Sequence, residues 1–195
     1  MSSVSAISAF RCSRCGREYE TLVYRMIDAE AEPSLKERVK DDSLFVRECP
    51  SCGCKELILS PVIYRDSHLL LCLSDRPIAV EGLEGVQGRL VSDVGSLIEK
   101  VKVFDAGLDD VPLEICKYVT RQELGKRVDL KFLRLEGADH DIIFTYPEGG
   151  QMQLLSVGFN VYEDCCAIVG RNPSLTAGLQ GLVKIDREWV EQFIA

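Results

Sequence analysis

The sequence predicts an α+β protein in two parts: a β-rich stretch over residues 9–76 and an α+β stretch over residues 89–195. Three observations predict it. Two Cys-x-x-Cys-Gly units fall among β-branched and aromatic runs in the first part. A cluster of glycines lies between Asp75 and Gly88. Helical spacing followed by turn-separated alternating runs fills the second part.

In the first part, Glu18–Ile27 reads as a strand and Pro33–Lys40 as a short helix with proline early and charges throughout. Leu44–Glu48 reads as a short strand entering the second cysteine unit. Glu56–Tyr64 and His68–Leu73 read as a hairpin turning at Arg65-Asp66-Ser67. Asp75-Arg76-Pro77, with Gly82, Gly85 and Gly88 after it, suits a flexible connection.

In the second part, Ser92 or Asp93 can cap a helix that carries Leu97, Ile98, Val101 and Phe104 on one face, with Gly107 to end it. Asp109 or Asp110 can cap a second helix, with Pro112 tolerated in its first turn. Strands at Val128–Leu135, Asp141–Tyr146 and Gln151–Phe159, separated by Gly137-Ala138-Asp139 and Pro147-Glu148-Gly149-Gly150, make an antiparallel β-meander. A helix near Val161–Val169 follows. A last helix, capped by Asp186, presents Trp189, Val190, Phe193 and Ile194 to the core.

Cys12-Ser13-Arg14-Cys15-Gly16 and Cys49-Pro50-Ser51-Cys52-Gly53 are two copies of one design. Two cysteines separated by two residues can point both sulfurs at one ion. The following glycine allows the positive φ of a tight turn that aims backbone N–H groups at the thiolates. Four cysteines complete the tetrahedral shell of zinc, so Cys12, Cys15, Cys49 and Cys52 are expected to hold one structural Zn²⁺, with iron as the alternative for a four-sulfur site. The first part is then a zinc-ribbon-like β domain with a four-cysteine site. The 33 residues between the two units exceed the usual spacing and must carry their own strands and helix. A redox dithiol at Cys49–Cys52 is the rival, but the thioredoxin-like βαβ context is missing.

These residues resemble the CpXC family of bacterial and archaeal proteins, named for two Cys-Pro-x-Cys pairs. The resemblance runs from Ala9 to about Arg76, through the insert EPSLKERVKDDSLF, the knuckle ECPSCG and the hairpin IYRDSHLLLCL, and extends to LIEKVKVFDAGLDD. Ser13 stands where the family has proline, which affects the stiffness of that turn and not the ligand set. The family is recognised by its cysteines, so the resemblance supports the zinc-ribbon reading and implies no activity.

Nine cysteines, an odd number, with no secretory signal at the Ser/Ala-rich start, suit a reducing compartment and a cytoplasmic protein. No apolar run approaches the ~20 residues that cross a bilayer. The net charge is −8 and uneven: residues 1–76 carry −1 and residues 77–195 carry −7. Such an acidic body repels phosphate backbones and disfavours bulk nucleic-acid binding. Arg11, Arg14, Arg17, Arg47 and Lys55 around the knuckles leave room for a local nucleic-acid contact, or they balance the charge of the thiolates.

Cys54 reads as a bystander, and Cys72, Cys116, Cys165 and Cys166 as small core residues. His68 and His140 read as polar residues beside turns. Asp105, Asp109 and Asp110 read as helix caps, the sharper alternative being a cation or substrate site in the second part. No phosphate-binding loop, nucleophile elbow or His-Glu-x-x-His occurs. The expected protein is therefore non-enzymatic and works through protein contacts. A two-fold homodimer is expected, because Gln151–Phe159 is apolar on both faces; the alternative is a central strand covered on each side.

Overall fold

A computed structural model describes residues 2–74 and 85–194. The chain divides into two compact units, Met1–Ile98 and Glu99–Ala195. Of the expected connection at Asp75–Gly88, residues 75–84 lie outside the described residues, whereas Gly88 is buried within a strand.

The first unit opens with a strand that the sequence reading left unassigned. β1 (Val4–Arg11) pairs antiparallel with β2 (Glu18–Asp28), from Val4↔Met26 to Arg11↔Glu18. The helix α1 (Pro33–Lys40) buries Leu35 and Val39. A small hairpin follows, β3 (Val46–Glu48) with β4 (Lys55–Leu57). The single strand expected at Glu56–Tyr64 is interrupted at 58–61, where Pro61 offers no N–H to a ladder. Pairing resumes in β5 (Val62–Arg65), antiparallel to β6 (Leu69–Leu73), which is parallel to β7 (Gln87–Val91). Met26↔Ile63 joins β2 to β5 in parallel, giving the order β1-β2-β5-β6-β7 for the strands of this unit. Every residue of β6 is buried, and Ile27, Tyr64, Leu69 and Leu71 lie at the centre of the core. The Tyr64 hydroxyl donates to Asp66 at 3.0 Å, so its polar end is satisfied.

The helix α2 (Val94–Asp105) starts in the first unit and ends in the second; Asp93 accepts from the Ser96 N–H at 2.8 Å. α3 (Asp110–Leu124) is capped by Asp109, whose carboxylate accepts from the Val111 N–H at 2.8 Å, and is closed by Gly125 at φ 64°. β8 (Lys131–Glu136), β9 (Asp141–Glu148) and β10 (Gln151–Val157) form the antiparallel meander, in the order β10-β9-β8. Gly149 and Gly150, at φ 59° and 79°, make the two-residue β9–β10 turn. Pro147 belongs to β9 rather than to that turn. α4 (Phe159–Arg171) and α5 (Arg187–Ile194) complete the unit. Its core joins Leu113, Leu130, Ile142, Phe144, Trp189 and Val190, with Cys116 and Cys165 among them.

Two further details bear on the sequence reading: the first departs from it, and the second overturns its alternative of a central strand at Gln151–Phe159. Phe193 is 47% exposed and rests on Trp189 with ring centroids 5.0 Å apart, so it is a flank of the core and not a part of it. β10 is an edge strand and not a central one, and Met152 and Leu154 on it are 61% and 62% exposed. Among the described residues, no helix is long and apolar enough to cross a membrane.

Candidate metal centre

Each cysteine pair lies at the tip of a hairpin. Cys12 to Cys15 turn the chain from β1 to β2, and Cys49 to Cys52 turn it from β3 to β4. The two tips repeat one hydrogen-bond pattern. The Gly16 N–H donates to the Cys12 carbonyl at 2.9 Å, and the Gly53 N–H donates to the Cys49 carbonyl at 2.9 Å. The Cys12 N–H donates to the Arg17 carbonyl at 2.9 Å, and the Cys49 N–H donates to the Cys54 carbonyl at 2.8 Å. Gly16 and Gly53 have φ of 69° and 68°, the left-handed conformation that this turn requires.

The two tips bring their sulfurs together, all four within 4.8 Å of one another. Cys12 Sγ lies 3.6 Å from Cys52 Sγ, and Cys15 Sγ lies 3.8 Å from Cys49 Sγ. A tetrahedron with metal–sulfur bonds of ~2.3 Å has edges of about 3.8 Å. The spacing is therefore that of four thiolates around one ion, and the cluster can hold a metal. Cys12 and Cys49 are buried, Cys52 is half-buried and Cys15 is exposed.

Backbone amides supply the complementary charge. The N–H groups of Cys15 and Arg14 face the Cys12 sulfur, and those of Ser51 and Cys52 face the Cys49 sulfur. The Ser51 N–H is the largest influence on the Cys49 thiol and holds it down, to about 7. A bound ion needs all four thiolates, so binding it releases protons.

Glu56 is the residue near the site that the sequence reading missed. It accepts from the Ser13 N–H at 2.8 Å, bridging the second hairpin to the first tip, and this contact holds its carboxyl below the ordinary value. Ligand atoms of Cys12, Cys54 and Glu56 also lie within 4.8 Å of one another. Strand register carried the missed signal: Glu56 pairs with Arg47, two residues before the knuckle.

The basic residues separate into two groups. Arg47 donates to the Leu22 carbonyl at 2.9 Å and to the Val46 carbonyl at 2.9 Å, so it braces the small hairpin against β2. Arg11 donates to the Gly16 carbonyl at 3.1 Å. Arg14, Arg17 and Lys55 are exposed.

The three aspartates of the second unit do not form one site. Asp105 is exposed at the end of α2, Asp109 caps α3, and Asp110 is fully buried with its carboxylate 2.6 Å from Lys100 Nζ. They are not among the groups of described residues whose ligand atoms converge. His68 and His140 are exposed, His140 at φ 56° in the β8–β9 turn. Cys72, Cys116 and Cys165 are buried.

Gly53→Ala isolates the cost of the knuckle turn. A Cβ there would meet nothing closer than 3.7 Å, so the expected loss of about 1–2 kcal/mol is conformational, not steric. Denaturant unfolding of the metal-loaded protein measures it.

No curated protein and no solved structure matches the chain. Residues 10–81, which contain both knuckles and the hairpin after them, match the family model described as CpXC protein.

Proposed function

We propose that Cys12, Cys15, Cys49 and Cys52 bind one structural Zn²⁺ that locks the two hairpins together, and that the protein is a non-enzymatic interaction module of the cytoplasm. The observation that carries this reading is the closed set of four sulfurs with near-tetrahedral edges. A catalytic zinc keeps an open position and a base beside it. Here four thiolates fill the shell, and both histidines lie in other turns. Metal analysis of protein purified without added metal tests the first half. One zinc per chain is expected, four ligating sulfurs being visible in the absorption edge; iron in its place would change the ion and keep the site.

The partner in this reading is a second copy of the chain. β10 is the edge of its sheet and exposes Met152 and Leu154 beside unpaired backbone groups, which suits strand addition about a two-fold axis. Light scattering at micromolar concentration is expected to give twice the chain mass of 21.8 kDa, and Leu154→Lys to return it to the monomer value. A wild-type monomer mass would sink the dimer.

Nucleic-acid binding is the second reading, favoured by the exposure of Arg14 and Arg17 on the first knuckle. It requires affinity that falls steeply with salt and weakens in Arg14→Ala.

A further inference from the structure

A thiol and a carboxylate that the four-sulfur shell does not use converge on one of its cysteines. Residues 54–57 alternate between half-buried and exposed, so Cys54 and Glu56 share one face of the strand and Lys55 and Leu57 the other. The half-buried face is turned to the first knuckle, where Glu56 accepts from the Ser13 N–H at 2.8 Å. Ligand atoms of Cys12, Cys54 and Glu56 lie within 4.8 Å of one another. Both hairpins therefore contribute to this second group, as they do to the first.

The two groups meet only at Cys12. Cys54 and Glu56 stand outside the four-sulfur cluster, so each lies more than 4.8 Å from at least one of its sulfurs. One ion cannot take both sets, and four thiolates already complete the shell of the first. Cys54 and Glu56 remain available. The Cys54 thiol makes a single weak hydrogen bond, to the Lys55 carbonyl at 4.0 Å, which a metal–sulfur bond readily replaces. A carboxylate has about four lone-pair sites, so the Ser13 N–H orients Glu56 without exhausting it. A thiolate sulfur has lone pairs enough to bridge two ions, which gives Cys12 a place in both shells. Metal–sulfur bonds of ~2.3 Å and metal–oxygen bonds of ~2.1 Å need tetrahedral edges of about 3.6–3.8 Å. The three atoms reach that spacing by closing little more than about 1 Å. An ion reaches the buried Cys12 sulfur past Cys54 and Glu56, both half-buried.

On the reading that Cys12, Cys15, Cys49 and Cys52 hold one structural Zn²⁺, we propose that Cys12, Cys54 and Glu56 bind a second thiophilic divalent cation, with Cys12 as the bridging thiolate. Zn²⁺ is the ion that this mixture of sulfur and oxygen suits. Its bond to Cys54 forms as the thiol gives its proton to solvent. Four thiolates and Glu56 leave the first site with an excess of negative charge, which a second cation reduces. Three protein ligands leave one position to water, so the second ion is held more weakly than the first and exchanges with solvent. Protein purified without added metal keeps the first ion alone.

Native mass spectrometry of the full, reduced chain during titration with Zn²⁺ provides the test. Wild type is expected to take up one Zn²⁺ tightly and a second at higher Zn²⁺ concentration, and a mild chelator is expected to remove the second first. Cys54→Ser is expected to lose the second ion and keep the first, and retention of the first shows that the variant has folded. Glu56→Gln retains an oxygen for the Ser13 N–H and is expected to shift the population toward the one-ion species. Cys166→Ser removes a half-buried thiol of the second unit and is expected to keep both ions. A wild type that stops at one ion overturns the second site and leaves the four-sulfur site standing, whereas a wild type that binds none overturns both. Uptake of the second ion by Cys54→Ser at the wild-type concentration, or its loss in Cys166→Ser, also overturns the second site.

Discussion

Cys49→Ser is expected to lower the stability of the first unit by several kcal/mol, while Cys54→Ser leaves it within about 0.5 kcal/mol of wild type. Binding free energy at a structural zinc site is folding free energy, roughly 10–16 kcal/mol in small zinc-dependent peptides. One ligand in four is a large share of it, and Cys49 is buried and has its sulfur 3.8 Å from that of Cys15. Cys54 also contributes to the knuckle, but through its backbone: its carbonyl accepts from the Cys49 N–H and its N–H faces the Cys52 sulfur. Serine keeps both. The pair of variants therefore separates the four-cysteine site from the alternative group of Cys12, Cys54 and Glu56. A strong effect at Cys54 with a weak one at Cys49 would move the ion to the second group. Chelation should mimic Cys49→Ser and open residues 10–60 to protease. Full protease resistance there after chelation would mean that the fold stands without metal.

The four-cysteine site was legible because its logic is local. Two cysteines and a glycine at fixed spacing dictate a tight turn, whatever surrounds it, and the structure repeats the same two backbone hydrogen bonds at Cys12 and Cys49. The antiparallel meander was legible for a similar reason, since its turn residues lie between alternating runs. β1 was not. Val4–Arg11 is half Ser and Ala, is mostly exposed, and becomes a strand only because β2 lies beside it. The break at Pro61 was a local signal outweighed by the apolar character of Glu56–Tyr64.

Gln151–Phe159 shows the limit of reading burial from hydrophobicity. A strand apolar on both faces can lie at the centre of a sheet or at an edge that meets a partner, and composition does not separate these. Sheet order does: β10 pairs only with β9, and one of its faces leaves Met152 and Leu154 in solvent. The aspartates show the converse. Asp109 and Asp110 are adjacent and chemically identical, yet one caps a helix at the surface and the other is buried against Lys100, ten residues earlier. Helical phase decides between them, and a shift of one residue would exchange their roles.

That buried pair is one end of a network whose disruption is the other large expected effect. Lys117→Met should destabilise the second unit by about 3–5 kcal/mol, the cost of leaving buried charge without its counterpart. Lys117 Nζ lies 2.7 Å from Glu114 and 3.0 Å from Glu99, and all three side chains are almost wholly buried. Glu99 also accepts from the Phe132 N–H at 2.7 Å and lies 3.5 Å from Lys131, tying α2 and α3 to β8. Lys100 completes the set through Asp110 at 2.6 Å. For contrast, the exposed pair Arg134–Glu136 at 2.7 Å should cost at most about 1 kcal/mol in Arg134→Met. The network also sets a pH window. Burial alone would raise the Glu99 carboxyl, but Lys117, Lys131 and the Phe132 N–H outweigh it and hold the pKa below the ordinary 4.5. A folded-state pKa below the unfolded one gives stability that is complete above about 4.5 and is lost as pH falls through the folded value. Lys117 is raised above 10.5: burial opposes the charge, but Glu114 and Glu99 prevail, so its share is complete below that value and is lost in stronger alkali. Glu99→Gln should therefore flatten the acid limb of the stability profile, and its cost should be non-additive with that of Lys117→Met by about 0.5–3 kcal/mol. Equal stability of Lys117→Met and wild type at neutral pH, with an unchanged acid limb in Glu99→Gln, would show that packing alone holds these elements in place.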